Sequence, residues 1–147
     1  SVSAQVKLGH IETQKLIQAM PEWTAAQKTF EEEQKKVNTE LNGLREQFQT
    51  KLAEYSEKMK TYSEAMRATT EEELQRIQRF QETAMAQLEK TQNDLMQPVM
   101  EKALNAIKEV GKENGFTYIF DMNAGILYAA ENSQDVLPLV KKKLGLQ

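Results

Sequence analysis

Between Glu22 and Met66 the chain carries no proline and a single glycine, Gly43, so little interrupts a helix over that whole length. Apolar side chains recur along it at Trp23, Phe30, Val37, Leu41, Leu44, Phe48, Leu52, Tyr55, Met59, Tyr62 and Met66. From Leu52 the steps alternate between three and four residues, the rhythm of a coiled-coil seam. Leu44, Phe48 and Leu52 make two successive steps of four, which predicts local unwinding of the supercoil. At ~1.5 Å per residue such a helix is about 65 Å long, more than a compact domain of this size encloses. The segment is therefore expected to project as an arm.

A return helix is legible as well. Thr70-Glu71-Glu72-Glu73 has the pattern of a capping box, with Thr at the cap and Glu three residues on. It predicts a turn over Arg67-Ala68-Thr69 and an arm tip near 67–70. The second helix then runs from about Glu71 to Val110. Leu74, Ile77, Phe80 or Gln81, Ala84, Leu88, Leu95, Val99, Ala103, Ala106 and Val110 lie on its inner side. Pro98 falls inside it, removes a backbone donor and predicts a kink. Gly111 and Asn114-Gly115 end it.

The two chain ends differ from the arm. Val6 and Leu8 alternate with polar neighbours and read as a short strand, followed by Thr13 as the N-cap of a brief helix carrying Leu16, Ile17 and Met20. Pro21 suits the first position of the next helix. Phe116-Thr117-Tyr118-Ile119-Phe120 is rich in strand formers and Asp121 to Gly125 supplies turn residues, so Ile126-Leu127-Tyr128-Ala129 is expected to return as the partner strand of a hairpin. Pro138 can open a last helix that ends in Lys141, Lys142 and Lys143. The fold class expected is α+β, mainly α: residues 5–21 and 98–147 form a small β-body, and 22–97 form a coiled-coil arm. Three short strands leave open edges and more aromatic surface than one thin sheet covers, so the body is expected to associate with copies of itself.

Composition removes most alternatives. With no cysteine, disulfides and thiolate metal sites are excluded. A single histidine, His10, rules out His-paired metal sites and most Ser-His or Cys-His nucleophile designs, and its expected role is structural. A net charge of −3 argues against nucleic acid as a partner. No run approaches the ~18 apolar residues of a membrane span. Glu31-Glu32-Glu33 and Glu71-Glu72-Glu73 read as solvated face and helix cap, because consecutive helical residues point in different directions. No enzyme activity, cofactor or metal is expected. The opening Ser1-Val2-Ser3-Ala4-Gln5 lacks an initiator methionine, which fits removal of a leader peptide or simply a trimmed sequence.

The order of short N-terminal strand, long helical hairpin and C-terminal β-hairpin completing the same sheet is uncommon. Val6-Lys7-Leu8-Gly9-His10-Ile11 opens it, Phe116 to Ala130 closes it, and Asp135-Val136-Leu137 leads into the last helix. In these parts the chain resembles the Skp (OmpH-like) periplasmic chaperone family of Gram-negative bacteria. Met20-Pro21-Glu22-Trp23 resembles the form in Bacteroidetes-type members. The resemblance implies a homotrimer in which strands of three protomers build a β-body, with helical arms enclosing a cavity. It implies an ATP-independent holdase that keeps unfolded outer-membrane β-barrel proteins from aggregating, in the periplasm, after cleavage of a signal peptide. Carried over by position, Val6, Leu8, Phe116, Tyr118, Phe120, Ile126 and Tyr128 would belong to the oligomer body, with Asp121 and Asn123 setting the turn of its hairpin. The best-known members have strongly basic arms. Here residues 22–97 hold 15 acidic and 11 basic side chains, a net of −4, so no lipopolysaccharide site is carried over, and membrane-surface contact stays open.

A holdase needs adaptable apolar surface, which unbranched methionine supplies. Tyr55, Met59, Tyr62, Met66, Phe80, Met85 and Met96 are the expected client-binding candidates on the arm, although such residues at helical spacing are ordinarily seam. Two other readings fit the pattern less well. An adaptor coiled coil would dock one partner through 64–73. A prefoldin-like chaperone would place its strands between the arm helices, whereas here they lie towards both termini.

Overall fold

The computed structural model describes residues 5–146; the opening Ser1–Ala4, read above as the trace of a removed leader, lies outside them. The fold is α+β and mainly α. Strand β1 (Leu8–Ile11) is followed by helix α1 (Thr13–Ala19), two long helices α2 (Pro21–Lys58) and α3 (Glu64–Glu113), strand β2 (Tyr118–Asp121), the two-residue strand β3 (Gln134–Asp135) and helix α4 (Leu137–Lys143). Contacts divide the chain into two units, one holding the residues up to Gln27 together with those from Leu95, the other Lys28–Asp94. The divisions differ from 21/22 and 97/98 because Trp23, Ala26, Leu95 and Met96 pack in or against the core of the first unit.

In the first unit the sheet has the order β2-β1-β3, with both neighbours parallel to β1. The chain leaves β1 through three helices before it returns as β2, which is the crossover a parallel pair requires. This corrects the expected hairpin. Ile126–Ala129 is not a strand: β2 pairs with β1, β3 takes the other side of β1, and the segment does not fold back onto the outer edge of β2. Met122 N–H donates to the Ile11 carbonyl and Val136 N–H to that of His10, extending both pairings past the strand ends.

The sheet has two faces. Gly9 and Ile11 point to the helices, where Leu16, Met20, Ala26, Val99, Ala103, Ala106, Val110, Val136 and Val140 bury themselves around them. The steps 99, 103, 106, 110 keep the heptad rhythm on α3, and the two alanines let neighbouring backbones approach. Each large core side chain contributes about 1.5–3 kcal/mol through burial. A Cβ on Gly9 would stand 2.9 Å from the Phe116 ring and 3.1 Å from Val136 Cγ1, so the close packing here demands glycine.

Helix ends were legible in part. Pro21 opens α2 as expected. Glu12, not Thr13, occupies the N-cap of α1 and makes no side-chain cap bond. The bonds come from Asp121 and Asn123, whose side chains accept from the backbone N–H groups of Thr13 (3.4 Å) and Gln14 (3.1 Å). At α4 the Asp135 carboxylate accepts from Leu137 N–H at 3.0 Å, so Leu137 opens the helix and Pro138 follows it within the first turn. Helix α3 continues through Pro98 and Gly111 to Glu113. It closes at Gly115 (φ 69°), with Phe116 N–H bonded to the Gly111 carbonyl in a Schellman arrangement.

In the second unit the two helical segments run antiparallel and are joined by a turn over 59–63. The turn expected at 67–70 is therefore displaced towards the N-terminus. Ser63 Oγ accepts from Met66 N–H at 3.1 Å, a cap-to-third-residue bond, and Glu64 carries negative charge in the first turn. Thr69 and Thr70 lie within the helix, their hydroxyls donating to the carbonyls of Ala65 and Met66. Leu41, Leu74, Ile77 and Leu88 are buried, with Val37, Leu44, Phe48, Gln81 and Ala84 half-buried beside them. Lys51 pairs with Glu73 across the helices, and Tyr55 OH donates to Glu71 at 2.6 Å. These links place Glu71 and Glu73 inside the paired helices, which a cap at Thr70 would not allow.

Candidate functional site

Two surfaces carry apolar groups that the fold leaves uncovered. The first runs along the paired helices of the second unit. Leu52 is 42% exposed, although the spacing put it in the seam. Two steps of four turn a helix by about 800°, some 80° past two full turns, so the stutter rotates Leu52 outward and brings Lys51 in. Phe80 is 45% exposed while Gln81 is half-buried, so glutamine holds the seam position and the aromatic ring stands outside it. Met85, five residues on and roughly 140° round the helix, is exposed on the other flank. Met59, in the turn, and Met66, in the first turn of α3, are exposed too.

The remaining candidates have partners within their own unit. Tyr55 and Tyr62 are half-buried, their ring centroids 6.1 Å apart. The hydrogen bond to Glu71 holds the Tyr55 phenol above its ordinary pKa, and the Lys51 ammonium, by a hydrogen bond, holds the Glu73 carboxyl below its own. Met96 packs against the core of the first unit. Sequence reasoning missed Leu104, exposed one turn after Met100 on α3. Its signal was available: Met100 and Leu104 are four apart and off the rhythm that buries 99, 103, 106 and 110.

The second surface is the outer face of the sheet. The register pairs Leu8 with Tyr118 and His10 with Phe120, so these four side chains share the face opposite the core. Tyr118 and Phe120 are exposed and their rings stack at 5.8 Å. Ile126 and Tyr128 meet Leu8, His10, Phe120 and Met122 around a recess of about 270 Å³, yet Tyr128 remains mostly exposed and Leu127 almost wholly so. His10 Nδ1 lies 2.8 Å from Ser133 Oγ, which gives the ring a structural partner. Val6 precedes β1 and is exposed. Phe116 packs against the core of the first unit instead of standing on this face, beneath Lys7, whose ammonium lies 4.4 Å from the ring centroid. Asp121 and Asn123, expected to set a hairpin turn, chiefly cap α1, although Asn123 N–H also bonds the Asp121 carboxylate at 3.0 Å.

Ion pairs of the first unit fasten its helices together. Lys102 joins Glu22, and Lys143 joins Glu113 and Glu109, fastening α2 and α4 to α3 within the first unit. The Lys102 hydrogen bond holds the Glu22 carboxyl below the usual carboxylate range, and Glu113 holds Lys143 above the usual lysine value. Among the described residues there is no cluster of metal-ligating side chains, and no helix is long and apolar enough to cross a membrane.

Comparison with known proteins agrees with this architecture. The fold is similar to the crystal structure of a candidate outer membrane chaperone (OmpH-like) from Caulobacter crescentus. The TM-score is 0.67 at 16% identity, over 97% of this chain and 86% of that one. No curated protein matches the sequence. The family model for outer membrane protein (OmpH-like) matches residues 7–144, nearly the whole chain. The chain is a member of the OmpH-like outer membrane protein family.

Proposed function

We propose that this protein is a periplasmic chaperone that holds unfolded outer-membrane β-barrel proteins without nucleotide and keeps them from aggregating. The observation that carries the reading is the apolar set left outside the seam of the paired helices: Leu52, Met59, Met66, Phe80 and Met85. Apolar groups scattered singly are ordinary on a protein surface, so the set supports the reading through its chemistry, three of the five being methionine, on a chain of the OmpH-like family. They are scattered along the helices and face more than one direction, which suits loose capture of a chain without defined shape. Methionine repacks against varied partners, and each contact is weak. Several helical hairpins acting on one client would gain by multivalency.

Self-association supplies the several hairpins. A sheet of two four-residue strands and one two-residue strand is small, and among the described residues nothing pairs with the outer edge of β2. Tyr118, Phe120, Leu127 and Tyr128 add an exposed apolar face beside it. Three copies closing these edges against one another, with Ile126–Ala129 free to join a neighbour's sheet, is the assembly we favour. Release then needs only an acceptor with better contacts.

The test is dilution of a urea-unfolded outer-membrane β-barrel protein into buffer with the chaperone and no nucleotide, followed by light scattering. Suppression at near-stoichiometric amounts of a species sedimenting at three chain masses supports the reading. Unchanged aggregation in the presence of that species would sink it, and tight binding to one folded partner instead would favour an adaptor.

A further inference from the structure

The chain has seven methionines and no cysteine, so thioethers are its most readily oxidised sulfur groups. Met122 is half-buried at the outer recess of the sheet, and the settings of the other six fall into two classes. Met20 is 1% exposed inside the core of the first unit, and Met96 packs against that core. Met59, Met66, Met85 and Met100 are 42–57% exposed, and none belongs to the buried set of either unit. Oxidant therefore reaches these four sulfurs first, and a polar oxygen added there disturbs no core packing. Three of the four belong to the apolar set along the paired helices, and Met100 forms an exposed pair with Leu104.

We infer that Met59, Met66, Met85 and Met100 are modification sites that form an oxidation switch: conversion of their thioethers to sulfoxides lowers client capture while the fold persists. The inference rests on the holdase reading above. The oxidant is an oxygen-atom donor of the hypohalous acid class. A sulfur lone pair attacks the hypohalous oxygen, an S–O bond forms, the O–halogen bond breaks, halide leaves with the bonding pair, and the hydroxyl proton passes to water. Sulfur loses two electrons and the halogen gains them. The product is a polar sulfoxide in place of an adaptable apolar group, and a methionine sulfoxide reductase reverses it at the expense of a thiol pair. Leu52 and Phe80 are untouched, so capture falls rather than vanishes.

The experiment treats the full chain with graded hypochlorous acid, maps oxygen addition by peptide mass, and assays suppression of aggregation of an unfolded β-barrel client. A variant with Met59→Leu, Met66→Leu, Met85→Leu and Met100→Leu is treated in parallel and controls for chlorination of lysines. The four exposed sulfurs are expected to oxidise before Met20, with a several-fold loss of capture, unchanged helicity and recovery after reductase. Whatever capture the untreated leucine variant shows, the same treatment is expected to leave it unchanged. Full capture after oxidation of all four, an equal loss in the leucine variant, or loss only where the helices melt would each overturn the switch. An untreated chain that fails to hold the client sinks the holdase reading along with it, whereas a working chaperone indifferent to sulfoxidation sinks the switch alone.

Discussion

Asp121 caps a helix that begins 108 residues earlier in the chain: its carboxylate accepts from the hydroxyl of Thr13 at 2.8 Å and from the backbone N–H of the same residue. Asn123 completes the cap at Gln14. The end of β2 and the start of α1 are thus fixed by one polar cluster, which also ties the C-terminal third of the chain to its beginning. Asp121→Ala is expected to lower stability by about 1–2 kcal/mol, the range for loss of a helix cap. Asn123→Ala, at a more exposed position, should cost less. A urea melt in which Asp121→Ala matches the parent would contradict this.

Two glycines make opposite predictions. Gly9→Ala places a methyl group against the Phe116 ring and Val136, in a core with no room to yield, and should destabilise by about 1–3 kcal/mol. Gly43 lies within α2 with nothing within 4 Å of an added Cβ. Gly43→Ala should therefore stabilise by up to about 1 kcal/mol through helix propensity. Thermal melts of the two variants should move in opposite directions.

The Lys51–Glu73 pair sets a pH dependence. Because the hydrogen bond from Lys51 lowers the folded-state pKa of Glu73, the pair's contribution is complete above the ordinary carboxylate range and fades as pH falls through that lowered value. The pair is solvent-exposed, so the effect is small. Glu73→Gln should melt slightly below the parent near neutral pH, and the gap should close in acid. A gap that widens in acid would reverse the sign of the coupling.

Association is expected to depend on the outer face of the sheet. Tyr118→Ser with Phe120→Ser removes two stacked, exposed rings that no side chain in the core requires. Sedimentation should show this double variant dissociating at concentrations where the parent stays assembled, with helicity retained. Assembly that persists unchanged would place the interface elsewhere.

The long helices, Pro21 at the start of α2 and the seam of α3 were legible because heptad spacing and helix breakers act locally. Strand pairing was not. Tyr118–Asp121 reads as a strand from its side chains, but nothing local tells it to pair with the distant β1 and not with Ile126-Leu127-Tyr128-Ala129. Ser63 and Thr70 both precede acidic residues, and the choice between them as cap was made by cross-helix partners of Glu71 and Glu73 that spacing alone does not reveal. Phe80 was ambiguous for a related reason: both 80 and 81 fit the period, and only packing placed the glutamine inward.

Client capture by substituted helices tests the central claim most directly. A variant with Leu52→Gln, Met66→Gln, Phe80→Gln and Met85→Gln keeps the buried seam of Leu41, Leu74, Ile77 and Leu88 intact. With helicity and sedimentation matching the parent, it should lose most of its ability to keep an unfolded outer-membrane β-barrel protein from aggregating. Parental suppression of aggregation by that variant would contradict the account.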